Sequence, residues 1–335
     1  MQGGMNKGIV GVGAALVDLL VEENDAFIKE LGSEKGGMTL VDLPIIDKAI
    51  ANTKAKVKVV PGGSACNTMV GIGNLGGKAK MIGRVGQDDL SQAFIDGLSK
   101  AGVERRLQIS PAATGRVLSV VTPDAQRTMF TYLGASSELS PDDITLADFS
   151  DAGMVLLEGY LLFNRPVVEK ILSLAKQAKV KVILDLASFQ VVEFCRDFID
   201  QIMAGSIDMV LANEDEAKAY TGLGEADSLN FLAGKVETAV VKVGKNGVLV
   251  AKGAERYTVP AHLVKALDTT GAGDLWASGF LHGLTEGMGL EKSASLGCMV
   301  GSEVVQVMGA VIPEAGWKRI HAYKAANFHD KNSII

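Results

Sequence analysis

Two aspartates frame a run of small residues in Asp268-Thr269-Thr270-Gly271-Ala272-Gly273-Asp274, and a long apolar stretch from Ala272 to Glu286 follows at once. Small residues at a helix start leave backbone N–H groups unobstructed, and such a terminus attracts anions. Asp274 falls in the first turn, where the helix dipole favours a carboxylate that can also face the anion. A carboxylate beside a phosphate-sized hole suits phosphorylation of a hydroxyl. The base orients and deprotonates the hydroxyl while the amides hold the transferring group. The same composition suits a plain N-capping loop equally well.

Other residues could carry chemistry or mimic it. Asp18 could be a solvent-facing strand end, but it sits inside the apolar run Ile9 to Leu20, where burying a lone carboxylate is costly unless it is paired or hydrogen-bonded. Asn213 and Glu216 are three apart, so one helical turn brings them to one side, and Asn213 also suits a helix cap. Gly71-Ile72-Gly73-Asn74-Leu75-Gly76 matches GxGxxG, but the residues before it pattern as a helix, not the strand a dinucleotide fingerprint requires. Gly11-Val12-Gly13 lacks the third glycine, and no GxxxxGK[ST] occurs. His262, His282, His321 and His329 have no metal-ligand spacing, and Ser64 lacks the Gly-x-Ser-x-Gly setting of a hydrolase nucleophile.

The elements that must position these residues read as alternating strands and helices. Lys7 to Gly13 patterns as a buried strand, Asn24 to Leu31 as a short helix and Gly32 to Gly37 as a loop. Val57 to Val60 is a strand running into Pro61-Gly62-Gly63, and Ser64 is placed as the cap of a helix through Leu75. Lys78 to Val85 is a strand and Ser91 to Ala101 a helix. Arg116 to Tyr132 patterns as a β-hairpin turning at Pro123-Asp124-Ala125-Gln126. From Val155 to Val243, strands at 155–157, 180–186, 209–212 and 239–243 alternate with helices at 166–176, 191–205 and 214–221. That alternation implies a parallel sheet covered by helices. Two helices, Ala272 to Glu286 and Leu290 to Met308, follow.

Composition bounds the function. The chain has 335 residues, 47% of them hydrophobic, enough for a large core. Its formal charge of −6 argues against coating nucleic acid, which needs a basic face. No run approaches the ~20 apolar residues of a membrane span, and Ile9 to Leu20, interrupted by Asp18, reads as a strand entering the fold rather than a signal segment. Three widely spaced cysteines with no CxxC suit a reducing, cytoplasmic setting.

The Asp268 to Asp274 segment resembles the signature of the PfkB, or ribokinase-like, carbohydrate and nucleoside kinase family. The resemblance extends over nearly the whole chain: Pro61-Gly62-Gly63-Ser64-Ala65-Cys66-Asn67 is similar to its glycine-glycine and asparagine element, and Lys80 to Asp88 continues its first signature. Asn213-Glu214-Asp215-Glu216 is similar to its Asn-x-x-Glu motif, and Val241 to Gly247 occupies the nucleotide-loop position. The resemblance implies an α/β fold with a Rossmann-type three-layer core, a mostly parallel sheet and a small β-sheet lid. It implies one kinase domain over 1–335, with the lid in about 14–42 and 105–134.

The resemblance also implies roles. Asp274 is the base, and the amides of Gly271, Ala272 and Gly273 form the anion hole. Arg127 resembles the lid arginine that adenosine kinases extend toward the transferred phosphate. Asp18, with Gly63 and Asn67, would grip sugar hydroxyls. Asn213 and Glu216 would organise Mg²⁺, largely through water, beside ATP. Asp268 and Thr270, with carbonyls of Val304, Val307 and Gly309, resemble ligands of a monovalent cation such as K⁺. The nucleotide loop keeps Gly244 and Gly247 but has Lys242 where the family usually has threonine, so Lys242 either supplies charge to ATP phosphates or is solvated.

Asp25-Ala26-Phe27, Lys35 to Asp42, Arg127 to Ser136 and Glu158-Gly159-Tyr160 look most like bacterial adenosine kinase-like members. A nucleoside site needs an apolar platform for the base, and Leu16, Met38, Leu40 and Tyr160 are the candidates, each also an ordinary core residue by type. The expectation is transfer of the ATP γ-phosphate to a primary hydroxyl of adenosine or another nucleoside. The alternative is a ribose, fructose or 2-keto-3-deoxygluconate kinase of the same family. A nicotinamide-dependent oxidoreductase would use Gly71 to Gly76 instead, and a non-catalytic sensor would have lost Asp274 or the glycines beside it. The expected partner is a small molecule, with no nucleic acid or membrane, acting on a monomer or homodimer.

Overall fold

The computed structural model describes residues 7–124 and 126–328; Ala125 of the expected turn and His329 lie outside the described residues. The strands are β1 Gly8–Val12, β2 Leu16–Glu22, β3 Met38–Leu40, β4 Lys58–Gly62, β5 Ala79–Val85, β6 Glu104–Ile109, β7 Gly115–Val121, β8 Arg127–Tyr132, β9 Ala152–Glu158, β10 Lys181–Asp185, β11 Met209–Asn213, β12 Thr238–Lys242, β13 Val248–Lys252 and β14 Glu255–Val259. The helices are α1 Asp25–Glu30, α2 Leu43–Asn52, α3 Ser64–Asn74, α4 Asp89–Lys100, α5 Arg165–Ala178, α6 Phe189–Met203, α7 Glu214–Thr221, α8 Glu225–Ala233, α9 Ala272–Thr285, α10 Leu290–Val304 and α11 Glu314–Phe328.

A nine-stranded sheet runs in the order β14-β13-β12-β11-β10-β9-β1-β5-β6, parallel from β12 to β6. The antiparallel β13 and β14 complete it at one edge. Its central strands are apolar on both faces because helices cover both. Val155, Val182, Val210 and Ala239 pack under α5 to α8 on one side. Leu156, Ile183, Leu211 and Val240 pack with α3, α9 and α10 on the other. The result is the expected three-layer α/β core.

A second sheet, β3-β8-β7-β2-β4, stands on this core. The run Ile9 to Leu20 is therefore two strands, β1 in the large sheet and β2 in the small one, joined through residues 13–15. The small sheet includes β4, at 58–62, which the expected lid segments leave out, while β6, at 104–109, belongs to the edge of the large sheet. Strand alternation gives the small sheet two unlike faces. Val17, Leu19, Val21, Leu118, Val120 and Phe130 pack on Phe27, Ile28, Ile46, Phe94 and Leu98 of α1, α2 and α4. The other face carries Leu16, Asp18 and Leu20.

Helices α2, α8 and α11 and the β13–β14 hairpin are absent from the sequence-based outline. The GxGxxG glycines lie in the last turns of α3 and just beyond it. A Cβ at Gly73 would overlap the Ala101 carbonyl, so these glycines serve close packing.

Candidate active site

The chain passes outward from β1 through β5 to β6, then returns to β9 on the other side of β1. In open α/β sheets such a reversal leaves a crevice beyond the strand C-termini. The last residues of four adjacent strands there are Glu158 of β9, Asp185 of β10, Asn213 of β11 and Lys242 of β12. Two are held together: Lys242 Nζ lies 3.2 Å from Asp185 Oδ2, and both side chains are largely buried. Asp185 is absent from the sequence-based candidates, and Glu158 enters them only within the stretch Glu158-Gly159-Tyr160, with no role of its own. Their one signal is a lone carboxylate ending an apolar strand.

Helix α9 points its N-terminus into this crevice. Gly271 precedes it at φ 68°, a left-handed conformation that favours glycine. The Ala272 N–H donates to the Thr269 carbonyl at 3.2 Å, while the N–H groups of Gly271 and Gly273 have no acceptor among the described residues. A Cβ on Gly273 would come within 3.1 Å of Lys242 Nζ, so the ammonium lies against the helix start. Lys242 is thus not solvated. Burial opposes its charge, but Asp185, Glu216 and Asp274 outweigh that and raise its pKa.

Asp274 stands in the first turn of α9. Ser64 Oγ donates to its Oδ1 at 2.8 Å, and Asn67 Nδ2 donates to its Oδ2 at 3.0 Å. Burial raises its pKa, with Asp185 adding to the rise, while Asn67, Ser64 and Lys242 oppose it. Ser64 does not cap α3: Gly63, at φ 95°, occupies that position and Ser64 is the first helical residue, its hydroxyl turned to Asp274. The Asn67 amide is likewise committed to Asp274, which leaves its carbonyl oxygen free of partners among the described residues.

The small sheet supplies the opposite wall. Residues paired across adjacent strands share a face. Asp18 pairs with Val117, Val117 with Thr131 and Thr131 with Leu40, while Val121 pairs with Arg127 and Met129 with Met38. Leu16, Asp18, Leu40, Met38 and Arg127 are therefore on one face, although they come from three separate segments. Asp18 is 8% exposed. Burial pushes its carboxyl up to about 7; Arg127 opposes this, and Asp274 and Asp268 add to it. Leu40 (61%) and Tyr160 (42%) stay exposed.

Arg127 Nη1 is buried without a hydrogen-bond partner among the described residues and lies 3.9 Å from Asp268 Oδ1. Both line a cleft of about 370 Å³, together with Gly37, Met129, Leu267 and Thr269. Asp268 Oδ1 accepts from the N–H and hydroxyl of Thr270, at 2.9 and 2.6 Å, and its Oδ2 accepts from the Gly309 N–H at 2.8 Å. Burial alone would raise its pKa, but these hydrogen bonds and Arg127 hold it low. The Val305 carbonyl accepts the N–H groups of Leu267 and Asp268, and that of Val304 accepts the N–H of Val307. The 304–309 turn thus packs on the Asp268 loop.

Asn213 and Glu216 form a reciprocal capping box on α7. Glu216 Oε2 accepts the Asn213 N–H and Oε1 accepts its Nδ2, both at 2.8 Å. Burial pushes the Glu216 carboxyl up to about 7, opposed by Lys242 and reinforced by Asp185. No cluster of three or more His, Cys, Asp or Glu able to hold a metal exists among the described residues. The residues present fit Mg²⁺ that keeps its waters and binds through donor phosphates, not an all-protein cage. Gly244 and Gly247 take φ 51° and 101° in the turn between β12 and β13.

A family model described as pfkB family carbohydrate kinase matches residues 35–315. The chain is 26% identical over 336 residues to adenosine kinase of Saccharomyces cerevisiae, covering 92% of this chain and 98% of that protein. Among solved structures it is similar to a probable sugar kinase from Rhizobium etli, with TM-score 0.87 and 33% identity over 96% of this chain and 99% of that one. It is similar to adenosine kinase from Sinorhizobium meliloti with TM-score 0.86 and 30% identity over the same shares.

Proposed function

Because the chain belongs to the pfkB family of carbohydrate kinases, and so is a nucleoside or sugar phosphotransferase with an alcohol group as acceptor, we propose that it moves the γ-phosphate of ATP to the primary 5′-hydroxyl of adenosine or a close nucleoside. Asp274 takes the proton of that hydroxyl. The free amides of Gly271 and Gly273 hold phosphoryl oxygens, joined by that of Ala272 when it leaves the Thr269 carbonyl, and Lys242 and Arg127 bring positive charge from opposite walls. Asp18, Gly63 and the Asn67 carbonyl oxygen hold the ribose hydroxyls. Asn213 and Glu216 order the waters of Mg²⁺, and Gly244 and Gly247 shape the nucleotide loop. Asp268 and Thr270, with the carbonyls of Val304, Val307 and Gly309, favour K⁺ nearby. The small sheet acts as the lid. Three free, buried cysteines support a cytoplasmic setting.

One observation carries the nucleoside over the sugar: the sheet face bearing Asp18 also bears Leu16, Met38 and Leu40. A free sugar uses the carboxylate but has no base to cover those apolar groups. The test is ADP release with adenosine, ribose, fructose and 2-keto-3-deoxygluconate. Stacking and burial of a base contribute a few kcal/mol, so kcat/KM for adenosine should exceed that for the sugars by about 10²-fold. Tyr160→Ala should weaken adenosine and leave a free sugar nearly unchanged. A ratio near one, or preference for a sugar, assigns the chain to the sugar kinases.

A further inference from the structure

Glu158 ends β9 where the large sheet reverses, and its side chain is 2% exposed. Its Oε1 accepts the N–H of Ala14 at 2.7 Å and its Oε2 accepts the N–H of Ala65 at 3.0 Å. These amides lie in two of the four links between the small sheet and the core, the others being β6 to β7 and the exit from β8. Ala14 is in the link from β1 to β2, and Ala65 is in the first turn of α3, just past the return from β4. The links also touch each other. A Cβ at Gly63 would overlap the Ala14 carbonyl oxygen, and one at Gly13 would overlap the Glu158 carboxylate.

We propose that Glu158 is a positioning residue that ties both links to one post, and so sets Asp18 on the small sheet against Asp274 on the core. The inference rests on the kinase function proposed above. Asp18 lies four residues beyond Ala14 on β2, while Ser64 and Asn67, which hold Asp274, flank Ala65 in one helical turn. Two acceptors on one rigid group are needed, because both targets are N–H donors and the Ala65 amide has no partner within its own helix. A carboxamide supplies only one acceptor and turns its NH₂ against the other donor, leaving a buried N–H unsatisfied. Glu158 acts through backbone, so its loss alters the spacing of two side chains it does not touch. Displacements near 1 Å in such a constellation cost about 10²-fold in rate.

Two measurements test this. In Glu158→Gln, assayed well below its melting temperature with the better of adenosine and ribose, acceptor KM should rise at least about tenfold and kcat/KM fall about 10²-fold, with ATP KM within about twofold of wild type. An unchanged acceptor KM, or an ATP KM that rises equally, overturns the proposal. Hydrogen exchange on the unaltered protein needs neither the variant nor activity. The amides of Ala14 and Ala65 should exchange with equal protection, and adenosine should slow both together. Protection differing by more than about tenfold also overturns it. If neither acceptor is phosphorylated the function proposed above fails, and the exchange data still decide whether Glu158 joins the links.

Discussion

Ser64 Oγ donates a 2.8 Å hydrogen bond to Asp274 Oδ1, joining the first turn of α3 to the first turn of α9. Two helix N-termini thus converge on one carboxylate. The pair places Asp274 at a fixed angle to the small sheet, since β4 runs into α3 through Gly62 and Gly63. Burial pushes Asp274 toward its neutral form, and the bonds from Ser64 and Asn67 pull it back. A base for a hydroxyl needs that balance: ionised at working pH, yet not so stabilised that it loses basicity.

Asp274→Asn should leave the fold and ATP KM intact and reduce kcat by about 10²–10⁴-fold, as loss of a general base does. The carboxamide matches the carboxylate in shape but cannot take the proton. Near-normal turnover on the best acceptor would remove Asp274 as the base.

Ser64→Ala removes a donor to the ionised form of Asp274, so the carboxyl pKa should rise further. The acidic limb of the pH profile of kcat/KM should move to higher pH, with kcat at the plateau reduced less than in Asp274→Asn. A pH profile superimposable on wild type would show that the hydroxyl does not act on the base.

On the proposed role of Arg127, in which the guanidinium acts on charge that develops during transfer, Arg127→Ala should lower kcat by about 10²-fold while changing acceptor KM less. A purely structural arginine would lower thermal stability and leave turnover alone. Equal rates in K⁺ and Na⁺, after ammonium is removed, would discard the cation site at Asp268 and Thr270.

Lys242→Met leaves Asp185 buried without its cation, and breaking such a pair costs about 3–5 kcal/mol. The melting temperature should fall and ATP KM should rise. Adding Asp185→Asn should recover much of the stability but not the ATP KM. Recovery of both together would confine Lys242 to a structural role.

His282 sits at 1% exposure on α9, with Nε2 2.6 Å from Lys324 Nζ on α11 and Nδ1 without a partner among the described residues. Burial, then the charges of Lys324 and His321, depress its pKa from 6.5 to about 4. The folded state therefore resists a proton that the unfolded chain takes up below about pH 6.5. This contribution to stability is present above pH 6.5 and is lost as pH falls toward 4. Denaturant titrations of His282→Gln and wild type should diverge least in that acidic window. A gap that stays constant from pH 7 to 4.5 would contradict the assignment.

Local sequence determined much of this protein. Small residues followed by Asp274 specify a helix start open to an anion, because backbone exposure at a terminus depends only on its own few side chains. The β-α alternation after Val155 specifies a covered parallel sheet, and Asp18 within an apolar run is legible as a carboxylate kept for a purpose. Tertiary structure decided what these groups touch. Ser64 reads locally as a helix cap and becomes a partner of Asp274, 210 residues away. Asp185 and Glu158 look like ordinary strand ends until the sheet sets them beside Lys242 and the two links. Leu16, Leu40 and Arg127 share a face only because the small sheet pairs their strands in one register. Hydrogen-bond partners and sheet register are relations between distant segments, and residue type and spacing along one segment do not specify them.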